Sequence, residues 1–98
     1  MEKYIEIAEV RKHINYDWDK ADNAWTDNTT PCPCCGRPVK EGKGVYVHMI
    51  GGGDILTLCN DDFGAGDCGC FEVGKTCYRN LEKLWKTATA EELHKLAD

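Results

Sequence analysis

The sequence predicts a small α+β domain built from a cysteine turn, a β-hairpin and a C-terminal helix, with a short helical or strand segment before them. Three observations carry that expectation. Three cysteines crowd into Cys32-Pro33-Cys34-Cys35-Gly36-Arg37. Two runs of β-forming residues, 45–50 and 55–58, flank a glycine loop. Cys77 begins a stretch whose apolar residues recur at helical spacing. The 98 residues are expected to form one domain: residues 1–30 as an N-terminal extension, 31–86 as the core and 87–98 as a last helix.

Residues 1–14 carry two patterns. Ile5 and Ile7 alternate with polar neighbours, as in a strand, whereas Ile7, Val10 and Ile14 follow helical spacing, and the balance tips slightly toward helix. Residues 15–31 are polar and acidic, with Asp17, Asp19, Asp22 and Asp27. Trp18, Ala21 and Trp25 share one helical face, so a short helix capped by Asp17 is expected there. The tryptophans are expected on the core, the sharper alternative being an exposed aromatic binding patch.

Gly51-Gly52-Gly53-Asp54 joins Val45–Ile50 to the second run as a hairpin, which pairs residue 50 with 55, 48 with 57 and 46 with 59. Gly64, Gly66 and Gly69 make residues 60–70 a loop. From Thr76 to Lys86 a helix is expected, with Cys77, Leu81, Leu84 and Trp85 inward and Glu82 paired with Lys86. Thr89-Ala90-Glu91-Glu92 has the form of a capping box for a final helix carrying Leu93 and Leu96.

Seven cysteines need a chemical explanation. Met1 to Val10 contains Glu2, Lys3, Glu6 and Glu9 and does not look like a secretory leader. No run approaches the roughly 18 apolar residues of a membrane span. A cytoplasmic setting keeps thiols reduced, and an odd count suits a disulfide framework poorly, so metal binding is expected. Redox use of a Cys-x-x-Cys would call for a thioredoxin-like βαβ context, which residues 32–35 lack.

Zinc takes four tetrahedral nitrogen or sulfur ligands. Cys32 and Cys35 have the spacing to place two thiolates on one ion, and Gly36 lets the backbone bend beneath it so that N–H groups face sulfur. Cys34 is then a packed or spare thiol. Cys77 is the third expected ligand, its thiolate favoured by the positive end of the helix macrodipole. For the fourth, His48 and Cys59 fall on one sheet face; His48 is narrowly preferred, with Cys59 as alternative and Cys70 as a third candidate. A second site from Cys34, Cys59, Cys68 and Cys70 is a weaker possibility, because Cys68-Gly69-Cys70 is a short spacing for zinc. A turn, a hairpin and a helix whose first turn returns to the metal make a treble-clef-like arrangement.

The segments Cys32–Val39, Tyr46-Val47-His48 and Gly69–Cys77 together resemble small zinc-knuckle proteins of bacteriophages and mobile elements. The resemblance spans residues 32–84. It implies that Cys32, Cys35 and Cys77 are metal ligands and that the chain is an accessory protein in the host cytoplasm, and it implies no activity. Cysteines 34, 59, 68 and 70 depart from that pattern, and the first 30 residues lie outside it.

Function is bounded more loosely. A net charge of -5 disfavours non-specific nucleic-acid binding, although Arg37, Lys40, Lys43, Arg79 and Lys83 are candidate phosphate contacts. Three or four thiolates leave zinc a poor Lewis acid, and no Glu sits beside a ligand as in a deaminase, so an enzyme is not expected. The favoured expectation is a zinc-stabilised module that binds a protein partner through the acidic segment or the hairpin, inhibition of a host defence system being one version. The alternative is a nucleic-acid-binding zinc knuckle.

Overall fold

The computed structural model describes residues 1–97. A five-stranded antiparallel sheet of order β6-β4-β5-β1-β7 forms the centre of an α+β fold. Its strands are β1 (Glu2–Glu6), β4 (Val45–Ile50), β5 (Ile55–Thr57), β6 (Gly69–Val73) and β7 (Lys86–Ala88). A separate hairpin joins β2 (Thr29–Pro31) to β3 (Pro38–Lys40). The helices are α1 (Ile7–His13), α2 (Trp18–Asn23), α3 (Lys75–Glu82) and α4 (Ala90–Ala97).

Alternation along the strands sends apolar side chains to both faces of the sheet. One face carries Ile5, Val47, Leu56 and Val73, packed with Ile7 and Val10 of α1, Leu81 of α3 and the buried cysteines 32, 34 and 77. The other carries Ile50 and Ile55, packed with Cys59, Phe63 and with Leu93 and Ala97 of α4. The sheet is thus the middle layer of three, and the cysteine turn belongs to one outer layer only.

Both patterns in residues 1–14 are realised, in succession. Glu2–Glu6 is a strand and Ile7–His13 a helix. β1 lies between β5 and β7, pairing Ile5 with Leu56 and Lys3 with Thr87. Residues 2–6 are therefore part of the central sheet and not of an extension. The expected hairpin register holds at His48–Thr57 and Ile50–Ile55, with β5 ending at Thr57 before residue 59. Asp17 caps α2 by accepting the Lys20 N–H at 3.0 Å. The capping box also forms: the Glu92 N–H donates to Thr89 Oγ1 and the Thr89 N–H to Glu92 Oε1, each at 3.1 Å.

Three further expectations fail, each by tertiary override of a local pattern. The tryptophans do not enter the core: Trp18 and Trp25 are 64% and 63% exposed, while Ala21 and Ala24 take the buried positions. Trp18 instead meets Tyr16 edge-on, and the Arg11 guanidinium lies over both rings. The helix from 75 stops at Glu82, because Lys86–Ala88 hydrogen-bonds to β1. Lys86 then pairs with Glu9 at 2.9 Å and not with Glu82. Finally, residues 69–73 form β6 on the free edge of β4, where His48 faces Cys70 and Val47 faces Phe71.

Candidate metal centre

The cysteine turn is the connection of the β2–β3 hairpin, closed where Pro31 faces Pro38. Two backbone bonds shape it: the Cys32 N–H donates to the Arg37 carbonyl at 2.9 Å, and the Gly36 N–H to the Cys32 carbonyl at 2.8 Å. Gly36 has φ +80°, and a Cβ on it would lie 2.5 Å from the Asp17 carbonyl oxygen. Only glycine meets both demands. Asp17 approaches so closely because its N–H donates to the Cys35 carbonyl at 2.9 Å. The residue that caps α2 thus also braces the turn.

Cys77 arrives from the opposite side, in the first turn of α3. Val73 ends β6 in the core, and Gly74 turns the chain into the helix with its N–H directed at Cys32 Sγ, 3.5 Å away. The sulfurs of Cys32, Cys35 and Cys77 all lie within 4.8 Å of one another. A tetrahedral zinc with Zn–S near 2.3 Å needs S···S separations of about 3.8 Å, so the three fit around one ion. Cys32 and Cys77 are buried and Cys35 is half-buried.

The electrostatics describe a site short of positive charge. The Cys32 thiol is pushed far below its ordinary value by hydrogen bonds from the Cys34 and Cys77 side chains, and the backbone N–H groups of Gly74 and Cys34 lower it further. Cys34 is driven far up by its bond to Cys32 and by burial. Cys77 rises through its bond to Cys32 and burial, and Cys35 rises chiefly through burial, partly offset by the Arg37 N–H. Neighbouring thiolates repel, so without a cation the three sulfurs do not all ionise together. A divalent cation removes that repulsion and lets all three ionise. The N–H groups of Cys34, Arg37 and Gly74 supply the sulfur-facing donors that a glycine-turned knuckle was expected to provide.

The structure brings Cys32, Cys35 and Cys77 together as expected, and it keeps the candidates for a fourth ligand away. His48 is 5% exposed, and both edges of its ring are engaged: Nδ1 donates to the Cys59 carbonyl at 2.9 Å and Nε2 meets Asp67 Oδ1 at 2.6 Å. Its ring also packs edge-on against Phe63. Cys59 is buried beside Phe63 and Leu93 on the far face of the sheet. Cys70 is exposed on β6. The four cysteines 34, 59, 68 and 70 do not form a second cluster: among the described residues, the 32/35/77 triad is the one group that could hold an ion. Cys34 is buried against the triad, the packed thiol of the sequence reading.

Sequence reasoning missed Asp17 and Gly74 as supports of the site. Gly74 precedes a helix beginning with Lys75-Thr76-Cys77, and its backbone role follows from that position. Nothing in the sequence ties Asp17 to the turn. Among the described residues, no helix is long and apolar enough to cross a membrane. Neither a family model, a curated protein nor a solved structure matches the chain.

Proposed function

We propose that the chain is a zinc-binding, treble-clef-like domain that works as a protein-interaction module. The observation that carries the metal reading is the convergence of Cys32, Cys35 and Cys77 from two separate parts of the fold. Thiolate donors favour a soft or borderline ion over magnesium or calcium, and a reduced, redox-silent structural site favours zinc. The order of a cysteine hairpin, the β4–β5 hairpin and a helix bearing the last ligand in its first turn supports the treble-clef description.

Support for a protein partner comes from the surface around α2. Trp18 and Trp25 are both exposed, within a stretch that also carries Asp17, Asp19, Asp22 and Asp27. Tryptophan is enriched at the centres of protein interfaces, and an acidic surround suits a basic partner. A phage or mobile-element accessory role, including inhibition of a host defence system, belongs to this proposal through the resemblance of the cysteine segments. Nucleic-acid binding is the weaker reading, given the net charge of -5. Three thiolates leave the ion electron-rich, which favours a structural centre over a hydrolytic one.

Elemental analysis of the purified, reduced protein tests the metal part: one zinc per chain is expected, and a metal-free folded protein overturns it. Affinity capture from a host lysate, run in parallel with a Trp18→Ala/Trp25→Ala variant, tests the partner part. A protein recovered by the native chain and lost with the variant is the expected result. Equal recovery by both chains places the interface elsewhere.

A further inference from the structure

The three ligand cysteines line a cavity of about 440 Å³ together with Asn15, Arg37, Lys75 and Asn80. Zinc with sulfur donors completes four coordination positions, yet among the described residues no further His, Cys, Asp or Glu joins the three sulfurs. The cavity wall carries two cationic side chains, Arg37 and Lys75, and no acidic one. A divalent ion held by three thiolates bears one net negative charge, so a further anion there needs nearby cations, which Arg37 and Lys75 supply. A site of three sulfurs matches a soft donor best.

Resting on the zinc reading above, we infer that the fourth coordination position opens onto this cavity and takes a thiolate from outside the domain's own ligand set. Binding forms one metal–sulfur bond, displaces the neutral ligand held there, and releases the S–H proton to solvent; no electrons are transferred. The thiolate has two sources, a small free thiol or an exposed cysteine of a second copy of this chain. Cys68 and Cys70 are both exposed.

Cobalt(II) loaded in place of zinc, in thiol-free buffer, separates the outcomes, because thiolate-to-cobalt charge-transfer absorption grows with the number of bound sulfurs. The native chain is expected to show the three-sulfur level and to gain about one third more on addition of 2-mercaptoethanol, as a fourth thiolate joins three. Charge transfer already at the four-sulfur level, falling to the three-sulfur level on dilution and with Cys68→Ser/Cys70→Ser, supports the same inference with a second copy as the source. A spectrum indifferent to both thiol and dilution overturns it. If the Cys34→Ala variant then loses a quarter of the absorption, Cys34 is the internal fourth ligand. Failure of the native chain to bind cobalt at all overturns the zinc reading itself, which the thiol response does not.

Discussion

His48 Nε2 and Asp67 Oδ1 meet at 2.6 Å across the gap between β4 and the loop that leads into β6. Asp67 also accepts the Gly69 N–H at 2.8 Å, so one carboxylate fixes both the imidazole and the start of β6. These contacts hold the Asp67 carboxyl below its ordinary value of 3.8, the His48 hydrogen bond first among the causes. The folded state then binds that proton less tightly than the unfolded state. The contribution is fully present above about pH 4 and is lost as pH falls through the lower, folded value. Urea midpoints of the native chain and of Asp67→Asn, taken from neutral pH downward, should converge on acidification. A gap that stays constant with pH contradicts this assignment.

Metal removal should reach beyond the outer layer that holds the cysteines, because β4, β5 and β6 of the central sheet lie between Cys35 and Cys77 in the chain. Structural zinc in small domains contributes roughly 10–16 kcal/mol of apparent binding energy, against a typical net stability of about 5–15 kcal/mol. Chelation, Cys35→Ser or Cys77→Ser is expected to unfold residues 32–85, seen as lost circular dichroism and lost amide protection. A spectrum unchanged after the metal has gone contradicts that outcome.

Gly36→Ala should weaken the site with all three ligands still in place. A methyl at φ +80° would meet the Asp17 carbonyl at 2.5 Å, so the turn must shift or the bracing bond to Cys35 must break. A destabilisation of about 2 kcal/mol or more is expected, together with weaker metal retention in a chelator competition. Native-like retention would mean that the turn is set without Asp17.

Neighbouring apolar residues should differ sharply in their contributions. Leu93 is fully buried and Leu96 is 47% exposed on the same helix. Leu93→Ala is expected to cost about 2–5 kcal/mol in a denaturant titration, and Leu96→Ala within about 0.5 kcal/mol. Trp25→Ala should resemble Leu96→Ala. Trp18→Ala should cost about 0.5–1 kcal/mol because it removes an Arg11 cation–π contact.

What could be read from the sequence was short-range. The Cys32–Cys35 turn, the Asp17 cap, the Thr89–Glu92 box and the 48–57 register each follow from residues close together in the chain, and each is observed. Cys77 was also legible, since a cysteine opening a helix carries its own electrostatic reason. What escaped depended on distant pairing. β6 is a glycine- and cysteine-bearing segment that becomes a strand because β4 offers it an edge. Lys86 leaves the helical pattern because β1 offers another. His48 shares a face with Cys59 as the alternation predicts, but it is the face opposite the cysteine layer: Val47 packs toward Cys32 and Cys77, while His48 packs on Phe63 and its outer nitrogen meets Asp67. The tryptophans misled because α2 ends at Asn23, so Trp25 lies beyond the helix, and the small side chains of Ala21 and Ala24 take the buried positions.

The position of β1 reaches into biosynthesis. It emerges from the ribosome before the other strands of its sheet, yet its two edges wait for residues 55–57 and 86–88. Until Ala88 has been made, one side of β1 has no hydrogen-bonding partner, so the central sheet is completed only after most of the chain has been translated. A nascent chain stalled before residue 86 carries an open strand edge, the kind of surface that recruits chaperones or a neighbouring copy.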